Sequence, residues 1–356
     1  MHTYTTIIKM QCIDYRSDTL TKPTQQMREA MSNAIVGDDV YQEDPTTIQL
    51  ENRIAKLFRK ESALFFPTGT MSNLTAVLAW CDKRGSEIIV GDKSHMFLYE
   101  QAGVSQFGGV SMRPVKNFGD GSMELGSIQD AIRDSDIHEP ITSLICIENK
   151  HNACGGRILA KTFLKKLQQL SKTNCVPIHM DGARIWNASS ASHEPVHKIA
   201  KYADSLTVCL SKGLGCPVGS VLLGSEEFIS KARRIRKGLG GGMRQTGVLS
   251  ACGLVALDDF ESGVLKRDHI ICKILAYEIE DMPGFKIWNE VETNILFIEI
   301  IGGSENVAKL LMERGIRVSV WSHDLIRLVI HRDIQYNDID LTINAFKEVS
   351  TILCGV

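Results

Sequence analysis

The stretch Val208-Cys209-Leu210-Ser211-Lys212-Gly213-Leu214-Gly215 is an apolar run that ends in Ser-Lys and passes straight into glycines. This pattern predicts a buried strand whose end delivers a lysine into a tight turn. In open parallel sheets the carboxyl ends of strands line the ligand crevice, and a lysine made partly neutral by burial is a nucleophile suited to condensing with a carbonyl carbon. An isolated Ser-Lys-Gly equally fits a lysine that snorkels from a strand end to solvent, so its surroundings must decide.

Outward from this stretch, short apolar runs alternate with helical patterns. Ala63–Phe66, Glu87–Val90, Ser143–Ile147, Val176–Met180, Leu206–Cys209 and Gly219–Leu223 read as buried strands. Met27, Ala30, Met31, Ala34 and Ile35 recur at the spacing of an amphipathic helix, and Leu50, Ile54, Leu57 and Phe58 form the face of a second. Strands separated by helices predict an α/β domain with a mostly parallel sheet, placed at residues 1–250. A long helix from about Gln245 to Glu280 then leads to short strands at Phe285–Trp288, Ile295–Ile300, Ile316–Val320 and Leu325–Ile330, read as a smaller C-terminal α/β domain at residues 251–356.

The chain has 356 residues, 44% hydrophobic and 23% charged, enough to bury a substantial core. A formal net charge of −2 supplies no overall positive field for nucleic acid or an anionic membrane, so a small-molecule partner is expected. The ten cysteines are scattered without a CxxC pair, several inside apolar runs, which predicts reduced thiols in a cytoplasmic protein. Met1–Gln11 has the marks of neither a signal nor a transit peptide, and no apolar run is long enough to span a bilayer. No metal is expected.

Three further motifs bear on the lysine. In Ile178-His179-Met180-Asp181-Gly182-Ala183-Arg184 an acidic residue ends an apolar strand and an arginine follows three positions later. Pyridoxal phosphate acts as an electron sink only while its ring nitrogen is protonated, which calls for a buried carboxylate; Asp181 is the candidate. Arg184 would then reach the phenolic oxygen or the substrate carboxylate, although the pair also fits a helix N-cap with a surface arginine. Phe65-Phe66-Pro67-Thr68-Gly69-Thr70-Met71-Ser72-Asn73 turns from strand into helix, and its amides and hydroxyls offer a phosphate cradle or an ordinary capped turn. His95, after the run Ile88–Val90, is placed to lie on the cofactor ring, with Tyr99 one helical turn beyond on the substrate side. His151, in Glu148-Asn149-Lys150-His151-Asn152, is the second candidate; either histidine also fits a hydrogen-bonded core residue.

These residues, with Arg16-Ser17-Asp18-Thr19-Leu20-Thr21-Lys22-Pro23-Thr24, Val36-Gly37-Asp38-Asp39-Val40-Tyr41, Gly240-Gly241-Gly242-Met243-Arg244-Gln245 and Ile326-Arg327-Leu328-Val329, resemble the low-specificity L-threonine aldolases. The similarity runs from about Ile13 to the end of the chain. The resemblance implies an aspartate-aminotransferase-like fold, a homotetramer with active sites shared between subunits, and pyridoxal phosphate held as a Schiff base on Lys212. It also implies roles by position. Ser17, Arg184 and Arg327 would hold the substrate carboxylate, Gly69 and Thr70 the phosphate, and Asp181 the ring nitrogen. Arg244 would reach a neighbouring subunit's phosphate, His95 would stack on the ring, and His95 or His151 would engage the substrate hydroxyl. Lys150 departs from the small hydroxyl residue common before that histidine, and Cys216 after the lysine loop is also unusual.

The expected reaction is aldol cleavage of L-threonine or L-allo-threonine to glycine and acetaldehyde. A β-eliminating amino-acid lyase on the same scaffold is the alternative, and a non-catalytic cofactor-binding protein a more distant one.

Overall fold

The computed structural model describes residues 12–355. Met1–Gln11, read above for targeting signals, lies outside the described residues. In chain order the strands are β1 (Ile13–Asp14), β2 (Ser62–Phe66), β3 (Ser86–Gly91), β4 (Ser111–Val115), β5 (Ile141–Glu148), β6 (Ile178–Gly182), β7 (Ser205–Cys209), β8 (Ser220–Gly224), β9 (Phe285–Ile287), β10 (Ile295–Ile300), β11 (Ile316–Arg317), β12 (Ser319–Ser322) and β13 (Leu325–Val329). The chain forms two compact units, Thr21–Arg267 and Asp268–Val356, the latter including the N-terminal residues up to Leu20.

The larger unit is built on a seven-stranded sheet of order β2-β8-β7-β6-β5-β3-β4. Only β8 runs against the others, pairing antiparallel with both β2 and β7. Side chains alternate between the faces of a strand, and here successive residues enter different apolar clusters. Phe65, Ile89, Ile145 and Ile147 join the largest core, whereas Ile88, Val90, Leu144 and Cys146 join a second and Leu64 and Phe66 a third. Both faces are therefore covered, which is why these strands read as continuous apolar runs rather than alternating ones. Parallel β3, β5, β6 and β7 deliver their carboxyl ends to one edge of the sheet, where His95, His151, Asp181 and Lys212 follow in the chain.

The structure departs from the sequence reading in several places: the first helix ends at Ser32, short of Ala34 and Ile35, and the segment up to Leu20, read with the large domain, joins the smaller unit because β1 pairs with β11. β4 carries no apolar run: it is an edge strand with Pro114 in which only Val115 is buried. The single long helix is two, Gly247–Glu261 and Val264–Glu280, broken where Gly263 takes φ +87°. The Ile316–Val320 strand is also two, because β11 pairs with β1 while β12 joins β13. The boundary between units falls at Arg267 instead of residue 250, because Gly247–Glu261 packs on the helices Gln25–Ser32 and Pro45–Phe58. The smaller unit is a four-stranded antiparallel sheet, β12-β13-β10-β9, whose Leu296, Ile298, Ile326 and Leu328 form a core with Ile343 and Phe346 of the helix Asn337–Cys354.

Candidate active site

A cavity of about 270 Å³ opens at the carboxyl edge of the large sheet. Its lining brings together Gly69, Thr70, His95, Asp181 and Lys212, all assigned roles from the sequence, with Asn73, Glu100 and Cys209, to which no role was attached.

Each of these is held by local structure. The backbone of Lys212 is tied down because its carbonyl accepts from Thr21 Oγ1 and from the amide of Gly215, both at 2.8 Å. Gly69 opens the helix Gly69–Trp80, capped by Thr68, whose hydroxyl accepts from the Met71 amide at 3.1 Å. A Cβ at Gly69 would stand 2.8 Å from Cys209 Sγ, so the turn passes β7 only as glycine. The capping role and the bare helix start thus coexist, and the latter faces the cavity with Thr70.

Asp181 is buried at the end of β6, with Oδ1 accepting from the Ala183 amide at 2.9 Å and Oδ2 from Asn73 Nδ2 at 3.0 Å. The residue capping the next helix is Arg184, so Asp181 is not its N-cap. Burial pushes the carboxyl pKa up, but the nearby charges of His95 and Lys212 and the Ala183 bond outweigh it and hold the group below its usual value. A buried carboxylate that stays ionised is what a protonated ring nitrogen requires.

Asn73 organises the floor of the cavity. Its amide nitrogen donates to Asp181 and also to Glu100 Oε1 at 2.9 Å, while its oxygen faces His179 Nε2 at 3.2 Å. An amide nitrogen between two carboxylates leaves the oxygen to accept, so His179 carries its proton on Nε2. Burial pushes His179 down to about 4, so it is neutral and its bare Nδ1 accepts from the Ser205 hydroxyl at 2.9 Å. Ser205 in turn accepts from Trp80 Nε1 at 2.8 Å.

His95 begins a short helix, His95–Leu98, and its ring lies 5.6 Å from that of Tyr99, tilted by 48°. Its Nδ1 meets Glu100 Oε1 at 2.8 Å. Burial lowers its pKa, but the Glu100 bond and the charges of Asp181, Glu100 and Glu148 outweigh this and raise it overall. The two oxygens of buried Glu148 accept from the His95 amide and the Asn152 amide, both at 2.8 Å. His95, Glu100 and Asp181 have ligand atoms within 4.8 Å of one another, near enough to share a cation. Within the protein, Asn73 already donates to one oxygen of each carboxylate and His95 Nδ1 already meets Glu100.

The other predicted residues do not line this cavity. His151 is 1% exposed, and neither ring nitrogen has a hydrogen-bond partner. It stands against Gly121, where a Cβ would lie 2.6 Å from His151 Cβ. Lys150 beside it is also buried, as is Cys216. Arg184 is buried at the start of the helix Ile185–Ser192, and Tyr99 is half exposed. Arg244 is exposed and bonds Asp38 at 3.2 Å. In the smaller unit, Ser17 Oγ accepts from the amide and hydroxyl of Thr19, and Arg327 Nη2 donates to the Arg16 carbonyl at 2.8 Å beneath the Trp321 ring.

The set fits pyridoxal phosphate: an ionised buried carboxylate, a strand-end lysine and a bare helix start with hydroxyls converge on one cavity. The beta-eliminating lyase family model matches residues 14–301. A low-specificity L-threonine aldolase of Arabidopsis thaliana is 48% identical over 346 residues, covering 95% of this chain and 96% of the relative. The low specificity L-threonine aldolase of Escherichia coli K12 is 40% identical over 325 residues, covering 90% and 94%. In fold, the threonine aldolase of Leishmania major superposes with a TM-score of 0.80 at 19% identity, covering 95% of this chain and 99% of that one.

Proposed function

The chain belongs to the low-specificity L-threonine aldolases, within the beta-eliminating lyase family, and from that membership we propose that it cleaves L-threonine and L-allo-threonine to glycine and acetaldehyde with pyridoxal phosphate on Lys212. The observation that carries this reading is the meeting of Lys212, ionised Asp181 and His95 in one cavity. When bound, pyridoxal phosphate supplies an electron sink for the bond broken at the substrate's α-carbon.

The chain's own residues do the rest. Asp181 holds a negative charge in a buried place, where a cationic ring nitrogen gains most from it. Lys212 presents its amine from a backbone fixed by Thr21 and Gly215. Ser17, Arg184 and Arg327 are assigned to the substrate carboxylate, and a guanidinium fork suits that partner. Orienting the α–β carbon bond is worth several orders of magnitude in rate when the reacting groups are held in place. His95 takes the β-hydroxyl proton, with Glu100 behind it to stabilise the charge it acquires. His151, whose buried nitrogens lack partners, is assigned as a hydrogen-bonding contact to that hydroxyl.

We assign the chain to a cytoplasmic homotetramer with shared sites. The ten free cysteines are consistent with a reducing compartment, and Arg244 is exposed and lines no part of its own cavity. Among the described residues no helix is long and apolar enough to cross a membrane.

The test is product analysis. Purified protein incubated with L-threonine, L-allo-threonine and L-serine is expected to release acetaldehyde and glycine from the first two, without ammonia. Ammonia and a 2-keto acid in their place would make it a β-eliminating lyase, the activity that the matched family model names.

A further inference from the structure

The hydrogen bonds around His95 determine which of its ring nitrogens is available. Glu100 is buried, and its Oε1 receives Asn73 Nδ2 at 2.9 Å and faces His95 Nδ1 at 2.8 Å. Asn73 cannot be turned over, because its nitrogen lies between the carboxylates of Glu100 and Asp181, which would otherwise face its oxygen. An ionised Glu100 can only accept, so Nδ1 of His95 must carry hydrogen in both the neutral and the charged ring. We propose that Glu100 is a positioning residue for the cleavage: it holds His95 by Nδ1 and leaves Nε2 as the nitrogen that takes up and returns the substrate proton.

The inference deepens the aldolase reading and rests on it for its catalytic meaning. Its geometric part stands alone. The groups acting on the His95 ring are Glu100 on its own segment, Asp181 from the end of β6 and Glu148 from the end of β5, all anionic when ionised. Burial raises the Glu100 pKa, and so does the charge of Asp181; the bonds from His95 and Asn73 oppose both. A protonated Glu100 would donate to a bare Nδ1 and put the histidine's proton on Nε2 instead, so the tautomer is the quantity to measure.

The experiment uses the holoenzyme labelled with ¹⁵N-histidine, with the His95 signals identified by their loss in His95→Asn. Glu100→Gln keeps an acceptor for Nδ1 and for Asn73 but removes the charge. In the wild type, two-bond proton–nitrogen spectra should show neutral His95 protonated on Nδ1, titrating above the ordinary 6.5. In Glu100→Gln that midpoint should fall by about one pH unit, the lower end for losing an adjacent opposite charge. The rising limb of kcat against pH should move down with it, and plateau kcat should drop about tenfold with little change in KM. Glu100→Asp, which retains the charge, should keep the limb near its wild-type position.

A neutral His95 protonated on Nε2, or a midpoint and limb unmoved in Glu100→Gln, overturns the proposal. If the wild type shows the Nδ1 tautomer yet cleaves no threonine, the aldolase reading fails while the hold on Nδ1 stands.

Discussion

The turn after β3 and the loop after β5 each carry a histidine to the same edge of the sheet, and Glu148 grips both, one oxygen on the His95 amide and the other on the Asn152 amide. Beyond that shared anchor they differ. His95 lines the cavity, is bonded to a carboxylate and is tuned upward; His151 is sealed from solvent with both ring nitrogens unsatisfied. A buried polar group without a partner costs about 1–3 kcal/mol, so the His151 ring calls for a partner, whether an ordered water or a bound ligand. The contrast sets a histidine bonded to a carboxylate at the cavity wall against one buried outside it, and the separate roles proposed for them rest on that difference.

The largest expected effect tests that separation directly. His95→Asn should lower kcat by about two to four orders of magnitude, the usual loss on removing a general base, while the cofactor absorbance band is retained. His151→Asn should act mainly on KM for L-allo-threonine, raising it about tenfold, the scale of one hydrogen bond, with a smaller change in kcat. Steady-state kinetics on both variants decide it. If His151→Asn proves to be the kcat variant and His95→Asn the KM variant, the two roles must be exchanged.

Glu148 supplies the next test, of smaller size. In Glu148→Gln one of the two backbone amides would face an amide nitrogen in place of an oxygen, a loss of about 1–3 kcal/mol at a buried site. Activity should fall about tenfold. Combined with His95→Asn, the penalty should be less than the sum of the singles, because part of it acts through His95. Full additivity would mean that Glu148 serves only the His151 loop.

How much of this arrangement the sequence revealed follows from how local each signal is. Lys212, Asp181 and Gly69-Thr70 sit at the ends of apolar strands within contiguous motifs, so strand recognition alone placed them on one edge. Glu100 lies in no such motif, and Asn73, although it ends the strand-to-helix motif, carries no local sign of its role. Asn73 lies on a helix that is apolar nearly all round, and its partners Glu100 and Asp181 are 27 and 108 residues away. Glu148 was quoted beside His151 but reads as the polar end of a strand; only the fold shows that it reaches His95, 53 residues earlier. The break at Gly263 was hidden because apolar periodicity persists on both sides of it. Periodicity reports burial of a face, and it is blind to which polar groups meet across the sheet.

The smallest effect concerns His179, which extends the comparison to a third histidine sharing the same carboxylate neighbourhood. Asp181 favours the charged form of both His95 and His179, yet one is raised and the other pushed down to about 4. His95 has a direct carboxylate bond and partial exposure, whereas His179 is wholly buried between a serine and an asparagine and has no anion at its ring nitrogens. Burial therefore wins at His179 and the ring folds neutral. An unfolded histidine takes up its proton near 6.5, so as pH falls from there toward 4 the unfolded state binds a proton that the folded state refuses, and stability is lost across that window. At pH 5.5 this contribution should amount to about 1 kcal/mol, equivalent to a fall in Tm of about 2 °C for a chain of this size. His95 acts in the opposite sense: its raised value gives stability at low pH that is lost as pH rises through it. The two are separated by variant, not by titrating the wild type alone. His179→Gln places an amide nitrogen near Nε2, keeps the bond to Asn73 and removes the titrating ring, so it should be less stable than wild type at pH 7.5 but lose less on going to pH 5.5. Thermal melts of both proteins at the two pH values give the difference of differences. If His179→Gln loses as much on acidification as the wild type, His179 is not the buried neutral ring that refuses a proton in the folded state.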